Sequence, residues 1–484
     1  MKIRGDNVNI KSIIYILGTL LKLLAISMLI PIFIGIKYHE EDAFVFIICM
    51  GITYISAWLF QKTSSNKITL QYRDGFVIVT IGWLLVSLYG AFPYLLGNIF
   101  NNPVDAFFES VSGFTTTGAS VMISLESLSH TMLFWRSLTH WVGGMGIIIM
   151  TMAILPQLAG NMSLYQAEAT GPLDNRIKPR IQETAKTLWF IYFFLTAGQI
   201  LLLFINGMPL FEALIHSFGT ISTGGFSSRA LSVRAYDNII IEVIIILFML
   251  LGATNFNLIY GVFKGKIRNL FFDEELRLYF IILIICIALI SLNLYIHVYN
   301  EFSLSLRYAG FQVVSIATTT GFATANYDIW PPFSRWILLI LMFIGGSAGS
   351  TAGGIKVIRI NVLLKKGLQE LYILLHPNAV RKIKINKRVI TERESTAILG
   401  FFFLYIAVFV IATICLTYYG IDIISSISAV AATLGNTGPG LELVGPLKSF
   451  LPLPPRAKIL LSFCMIIGRL EIYTILVFIF MDWR

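Results

Sequence analysis

The chain has 484 residues, 56% of them hydrophobic and only 13% charged, about half the charged share of an average soluble domain. That balance excludes an ordinary soluble enzyme and places the protein in a lipid bilayer. The net charge of +10 is no sign of nucleic acid: 25 of the 36 Lys and Arg residues lie in short segments between apolar runs, at 1–11, 61–75, 157–187, 262–277, 356–393 and the C-terminus. This is the positive-inside bias, and it predicts a cytoplasmic N-terminus.

In chain order, two apolar runs come first, 13–36 and 43–60, joined by an outer turn with Glu40, Glu41 and Asp42. They read as a two-helix hairpin within 1–75, and no signal peptide with a cleavage site precedes them. From Phe76 a unit begins that recurs four times, over 76–160, 161–265, 266–375 and 376–484. Each unit runs long apolar helix, short amphipathic segment, Gly-centred turn, second long helix. In the first these are 76–97, 103–114, Thr116-Thr117-Gly118 and 133–155. The second has 184–206, 209–221, Ser222-Thr223-Gly224 and 238–263. The third has 278–298, 306–317, Thr319-Thr320-Gly321 and 333–360, and the fourth 394–419, 423–433, Asn436-Thr437-Gly438 and 457–480. The turn glycines are 106, 97 and 117 residues apart, so most of the chain is one unit repeated.

About 20 residues are needed to cross a bilayer as helix, so the short segments can only dip in and return. Irregular backbone after them is tolerable only where protein or water surrounds it. The expected fold is an all-α polytopic membrane protein: four parallel helix–re-entrant pore helix/filter–helix repeats around a central pore, plus the N-terminal hairpin. The pore helices would aim their C-terminal, partly negative ends at the axis, which favours a cation.

Gly118, Gly224, Gly321 and Gly438 allow backbone angles closed to other residues, so successive carbonyls can face one way, and Thr117, Thr223, Thr320 and Thr437 add hydroxyls. No carboxylate lies in these turns, which suits a large monovalent cation better than Ca²⁺ or Mg²⁺. The expected filter comprises Thr116, Thr117, Gly118, Ser222, Thr223, Gly224, Thr319, Thr320, Gly321, Asn436, Thr437 and Gly438, with K⁺ as first choice. The run Gly345-Gly346-Ser347-Ala348-Gly349-Ser350-Thr351-Ala352-Gly353-Gly354 interrupts a second helix. Each Gly costs about 1 kcal/mol of helix stability relative to Ala, so the run should open into a loop below the filter, a movable gate, or else serve close helix packing. Arg469 falls mid-way along the last helix, where a buried charge marks an ion pathway or an internal pair, here with Glu471.

Glu109 and Glu212 are expected at matching places in the first two units and read as scaffold binding half-helix amides or as attractors of cations to the mouth. Arg136, His140 and His216 stand in no metal or triad spacing. Cys49, Cys286, Cys415 and Cys464 lie in apolar runs as packing residues. The basic stretch 361–393, with Arg381-Lys382-Ile383-Lys384 and Lys387-Arg388, suits anionic membrane lipid or a cytosolic partner. No convergent set of nucleophile, base and acid marks an enzyme, and no fingerprint marks a bound cofactor.

The ordered set Thr115-Thr116-Thr117-Gly118-Ala119-Ser120, Ser222-Thr223-Gly224-Gly225-Phe226-Ser227, the run Gly346–Arg359, Asn436-Thr437-Gly438-Pro439-Gly440 and Gly468-Arg469-Leu470-Glu471 resembles the Trk/Ktr/HKT superfamily of potassium transporters, in particular its TrkH-type membrane subunit. Trp141–Ile147 and Ala167–Pro172 resemble it too. The resemblance implies a homodimer in the bacterial inner membrane that takes up potassium under control of a cytosolic, TrkA-like ring of nucleotide-binding subunits. It also implies that 345–354 is the gating loop and that Arg469 lies beside it. Symport of potassium with a proton or sodium is the alternative mechanism within the same fold.

Overall fold

The computed structural model describes residues 9–64, 72–158, 177–379 and 382–480, with the backbone alone described at 72, 147–158 and 177–185. Arg381, the 167–172 motif and most of the inner stretch 157–183 lie outside the described residues. Three helices build the hairpin, α1 (Ile10–Ser27), α2 (Leu29–Tyr38) and α3 (Asp42–Lys62). The first repeat holds α4 (Tyr72–Gly90), α5 (Phe92–Leu96), the pore helix α6 (Pro103–Phe114) and α7 (His130–Leu158). In the second, α8 (Ile177–Ile205) leads to the pore helix α9 (Leu210–Ile221), then α10 (Ile239–Gly252) and α11 (Phe256–Phe263). A short inner helix, α12 (Arg268–Phe272), precedes the third repeat: α13 (Glu274–Leu294), pore helix α14 (Phe302–Ala317), α15 (Pro332–Leu341) and α16 (Val357–Leu375). An antiparallel ribbon, β1 (Lys384–Ile385) against β2 (Arg388–Val389), leads into the fourth: α17 (Glu392–Tyr418), pore helix α18 (Ile423–Leu434), α19 (Pro455–Leu470) and α20 (Ile472–Phe480).

The architecture is thus four parallel repeats plus a hairpin, as the spacing of the turns required. Six described helices are long and apolar enough to cross a membrane, eight if each bent pair is one span. The pore helices have 12, 12, 16 and 12 residues, too few to span. Their chemistry sets where they start. Asn102 caps α6 by accepting the Val104 N–H, with Pro103 at the first helical position, and Asp422 caps α18 through Ser425. Their faces are buried while α3, α8, α13 and α17 turn Phe44, Phe190, Ile284 and Phe403 outward, as lipid-facing helices do.

Two second helices expected to be continuous are broken. At 238–263 the chain bends by 104° between α10 and α11, and at 457–480 by 107° between α19 and α20. In the first break Asn255 accepts the Asn257 N–H and starts a new helix after Gly252. In the second, Glu471 adopts a left-handed conformation, φ 61°. Three second helices also bring a glycine against the last residue of their own pore helix. A Cβ built on Gly143, Gly252 or Gly468 would lie 2.0, 3.1 or 2.1 Å from the carbonyl oxygen of Phe114, Ile221 or Leu434. Side chains there would push the pore helices off the axis.

Buried ion pairs join neighbouring repeats around the outer half. Lys458 of α19 holds Asp105 of α6 at 2.6 Å, and Arg307 of α14 holds Glu242 of α10 at 2.8 Å. The hairpin is fastened to the first repeat by Glu40, which accepts from the backbone N–H groups of His130 and Thr131 at 2.8 and 2.9 Å and from Thr131 Oγ1 at 2.6 Å. Tyr38 stacks on the His130 ring, centroids 4.0 Å apart. Partial burial alone would raise the Glu40 pKa, but the hydrogen bonds from Thr131 and His130 outweigh it and hold the carboxyl below its ordinary 4.5.

Two stability measurements follow. A depressed native pKa contributes stability above the unfolded-state value and loses it as pH falls through the native one, so Glu40→Gln should flatten the decline of Tm between about pH 5 and pH 3. Parallel wild-type and variant curves would remove Glu40 from the seam. Lys458→Met leaves Asp105 buried and unpaired and should lower stability by roughly 3–5 kcal/mol, with much of the loss recovered when Asp105→Asn is added.

Candidate functional site

After each pore helix the chain makes the same turn, with two left-handed residues separated by one. The first left-handed position is Thr116, Thr223, Thr319 or Asn436, with φ of 52, 53, 57 and 53°. The second is Gly118, Gly225, Gly321 or Gly438, with φ of 82, 80, 78 and 99°. The second turn is therefore one residue later than its Thr-Gly triplet suggests. Gly225, not Gly224, is the counterpart of the other three glycines, and Gly224 stands where the other strands have Thr117, Thr320 and Thr437. Ser222 matches Thr115, Thr318 and Gly435, one step earlier than expected. The hydrogen bonds repeat the same register: the N–H groups of Thr117, Gly224, Thr320 and Thr437 donate to Ser112, Gly219, Ser315 and Ala432 at 2.7 to 2.9 Å. These bonds are the C-caps of the pore helices, with the left-handed residue just past each end. Asn tolerates that conformation; a β-branched Thr there is strained, and three of the four strands store such strain.

The four strands close a ring. A Cβ built on Gly118 would lie 2.2 Å from the Gly224 oxygen, on Gly225 1.8 Å from Thr320 O, on Gly321 2.1 Å from Thr437 O, and on Gly438 2.7 Å from Thr117 O. Each missing side chain is thus replaced by the carbonyl of the next strand, and the cycle returns to its start. Among the described residues the carbonyls of Thr117, Gly224, Thr320 and Thr437 accept no hydrogen bond. Buried backbone oxygens without partners are costly, and a desolvated cation satisfies them. The side-chain oxygens of Thr116 and Thr437 are buried without a partner as well.

Behind the ring each repeat ties the segment after its turn back to its pore helix. Glu109 accepts from Ser120 Oγ at 3.0 Å, His216 Nε2 lies 3.0 Å from Ser227 Oγ, and Gln312 Nε2 donates to Thr324 Oγ1 at 3.2 Å. Ser428 does the same with the backbone of Leu441. By register the counterpart of Glu109 is His216, nine residues before its glycine, while Glu212 matches Asp105, thirteen residues before; the expected match of Glu109 with Glu212 does not hold. Glu109 is fully buried and paired with Arg136 at 2.6 Å. Arg136 also donates to Ser227 O at 3.0 Å and stacks on Phe226, which joins the first strand to the second. Glu109 and Arg136 thus tie the first pore helix to the segments after the first and second turns. His140 was not singled out for this place, yet its ring would lie 2.5 Å from a Cβ on Gly224. That contact explains why the second strand has glycine where the others have threonine.

Beneath the ring lies the glycine-rich loop, flanked by an isolated pairing of Ile344 with Ile355. Ser347 N–H donates to Ala253 O at 2.9 Å, and Thr351 Oγ1 donates to Ile221 O and Gly252 O, both at 2.9 Å. Glu275 accepts from the N–H groups of Ala348 and Ile358 at 2.7 and 3.1 Å. Gly353 N–H donates to Thr319 Oγ1 at 2.8 Å. Arg469, buried, donates through Nη1 to Thr351 O at 2.6 Å and reaches Gly143 O at 3.5 Å. It does not pair with Glu471, which instead binds Arg359 at 2.6 Å. Among the described residues Arg469 has no carboxylate partner, because the 107° bend turns Glu471 away along α20. The second, third and fourth repeats meet at this loop, and Arg469 links it to Gly143 of the first.

These features define a class: a polytopic membrane transport protein whose four repeats bring re-entrant turns to one axis. The family model of TrkH, described as a cation transport protein, matches residues 41–482. The Trk system potassium uptake protein TrkH of Salmonella typhimurium is 42% identical over 96% of this chain and 98% of its own length. The potassium uptake protein TrkG of Escherichia coli is 36% identical over 97% of both. The crystal structure of the potassium transporter TrkH from Vibrio parahaemolyticus superposes with a TM-score of 0.90 at 38% identity, covering 98% of this chain and all of that one. The chain belongs to the TrkH family of cation transport proteins.

The register can be checked directly. Gly224→Ala should lower stability by roughly 1–3 kcal/mol through overpacking, and His140→Ala should offset part of that loss in the double variant. Strict additivity of the two changes would disprove the contact.

Proposed function

We propose that this chain is the membrane subunit of a potassium-uptake system of the bacterial cytoplasmic membrane, passing K⁺ inward through its central pore with the N-terminus on the cytoplasmic side. The observation that carries the reading is the closed ring of four glycines and four unpartnered carbonyls, a site of neutral oxygens suited to a weakly hydrated monovalent cation. Around it the filter is formed by Thr116, Thr117, Gly118, Ser222, Thr223, Gly224, Thr319, Thr320, Gly321, Asn436, Thr437 and Gly438, and Gly225 joins them as the second strand's turn glycine. The names of the relatives, over nearly their full length, support potassium as the ion.

Residues 345–354 with Arg469 act as the gate. The loop crosses under the ring, and a guanidinium held there repels a cation and fastens the loop by Thr351 O. The protein works as a homodimer under a cytosolic, nucleotide-binding regulatory ring; the relatives are named as parts of a Trk system, which fits an assembly of several chains. The chain divides into the hairpin 1–75 and pore repeats 76–160, 161–265, 266–375 and 376–484, with basic residues of 361–393 at the inner lipid surface. Coupled symport with a proton or sodium finds less support, since the buried carboxylates Asp105, Glu109 and Glu242 are held by Lys458, Arg136 and Arg307, and Glu275 by the N–H groups of Ala348 and Ile358.

Flux into proteoliposomes tests the reading. Potassium and rubidium should enter well ahead of sodium, and Gly321→Ser should cut that preference by roughly tenfold or more, since even one displaced donor set is worth over 1 kcal/mol. Arg469→Gln should raise basal flux. Flux with no preference, or a preference untouched by Gly321→Ser, would reject the filter; unchanged flux in Arg469→Gln would reject that gate.

A further inference from the structure

The four residues at the first left-handed position occupy one register place but make four different contacts. Thr116 Oγ1 is buried and unpartnered, and Thr223 Oγ1 donates to its neighbour Ser222 O at 2.7 Å. Asn436 Nδ2 donates across the ring to Thr117 Oγ1 and down to Met465 O, both at 2.9 Å. Thr319 alone among them takes a hydrogen bond from the loop below, through Gly353 N–H at 2.8 Å, with both residues buried. Gly353 is wedged there from the other side too: a Cβ on it would lie 2.5 Å from Gly435 O and 2.7 Å from Asn436 Cβ. One loop residue therefore sits under the seam of the third and fourth filter strands, bonded to one and in contact with the other.

The geometry points to Thr319 as a positioning residue that couples the gate to the filter: its hydroxyl latches Gly353 in the closed loop, and the latched loop in turn holds the seam between strands three and four. The inference rests on reading the ring as the selective filter and the loop as its gate, and it adds that the two are one mechanical unit. Two physical points carry it. A buried N–H needs its acceptor, so loss of the Thr319 hydroxyl favours any state in which the Gly353 N–H reaches water. Thr319 is a β-branched residue in a left-handed conformation, φ 57°, so it keeps that shape only while its surroundings over-determine it. When the loop withdraws, strand three loses one of those constraints and strand four loses its contact at Gly435. Coupling of this kind is reciprocal: what the filter does to the loop, the loop does to the filter.

The test perturbs each side and reads the other, in proteoliposomes of the full-length protein. On the filter side, Thr319→Val keeps the shape and removes the acceptor. It should raise basal potassium flux by roughly fivefold or more, the equivalent of one orphaned buried donor. Thr319→Ser, which keeps the acceptor, should fall much closer to wild type. On the loop side, Thr351→Val lies outside the ring and removes the bonds to Ile221 O and Gly252 O. It should lower the preference for potassium over sodium by roughly fivefold, the lower end of ordinary coupling between sites. If Thr319→Val leaves flux at or below wild type, or if Thr351→Val raises flux and leaves the ion preference untouched, gate and filter are independent and the inference is overturned. Should Thr319→Val fail to fold, the Thr351→Val arm decides alone. A wild-type protein without potassium preference, or one indifferent to Gly321→Ser, would overturn the filter reading itself, which separates that failure from this one.

Discussion

The absent side chain of one glycine in each repeat, filled by the carbonyl oxygen of the next repeat, is the constraint from which the rest of the structure follows. Four such contacts in a cycle fix the distance between neighbouring strands, and the cycle closes only if every repeat contributes at the same height. The short pore helices supply that height. Each ends in a C-cap whose left-handed residue redirects the chain along the axis, and three of the four are held there by a glycine on the helix that follows. Three of these left-handed residues are threonines, an unfavourable choice for the conformation. The strain persists because the hydrogen bonds from Glu109, His216, Gln312 and Ser428 and the ion pairs between repeats hold the turns from behind. The oxygens left without partners at the centre are the chemistry that this scaffold exists to present.

Below the ring the fourfold likeness ends. The first repeat keeps its second helix continuous, the second and fourth bend theirs through more than a right angle, and the third opens into a loop that touches the second and fourth directly. The structure is thus fourfold at the ring and asymmetric below it, and under the gating proposal that asymmetry confines movement to one loop. Arg469, Thr351, Glu275 and Thr319 hold that loop by four separate kinds of bond: charge to carbonyl, hydroxyl to carbonyl, carboxylate to two N–H groups, and N–H to hydroxyl. Among the described residues the Arg469 guanidinium is met by backbone oxygens and by no carboxylate.

Much of this was legible in the sequence because helix length and glycine placement are local properties. The recurring Thr-Gly turns marked the repeats, pore helices too short to span marked themselves as re-entrant, and five glycines in ten residues announced the loop. The register of the second turn was not legible. Ser222-Thr223-Gly224 copies the triplets of the other repeats, and only the backbone angles and the His140 ring, which come from tertiary packing, show that Gly225 is the working glycine. The match of Glu109 with Glu212 failed for a different reason: both are acids on a pore helix, but they stand nine and thirteen residues before their turn glycines. The partner of Arg469 was hidden for another reason. Proximity in sequence favoured Glu471, but the left-handed turn at Glu471 reverses direction between the two residues, and the carbonyl that Arg469 finds lies 118 residues away. The breaks at Asn255 and Glu471 had weak signals, an Asn after Gly-Ala-Thr and a Gly-Arg pair, each compatible with an unbroken helix.

The central claim is that a cation sits where the four unpartnered carbonyls converge. Anomalous scattering from crystals grown in rubidium tests it most directly, since rubidium replaces potassium with little change in size and can be located on its own. The account predicts density on the axis, between the carbonyl oxygens of Thr117, Gly224, Thr320 and Thr437. Density found only in the outer mouth, near carboxylates such as Glu126 or Glu442, with none inside the ring, would contradict it.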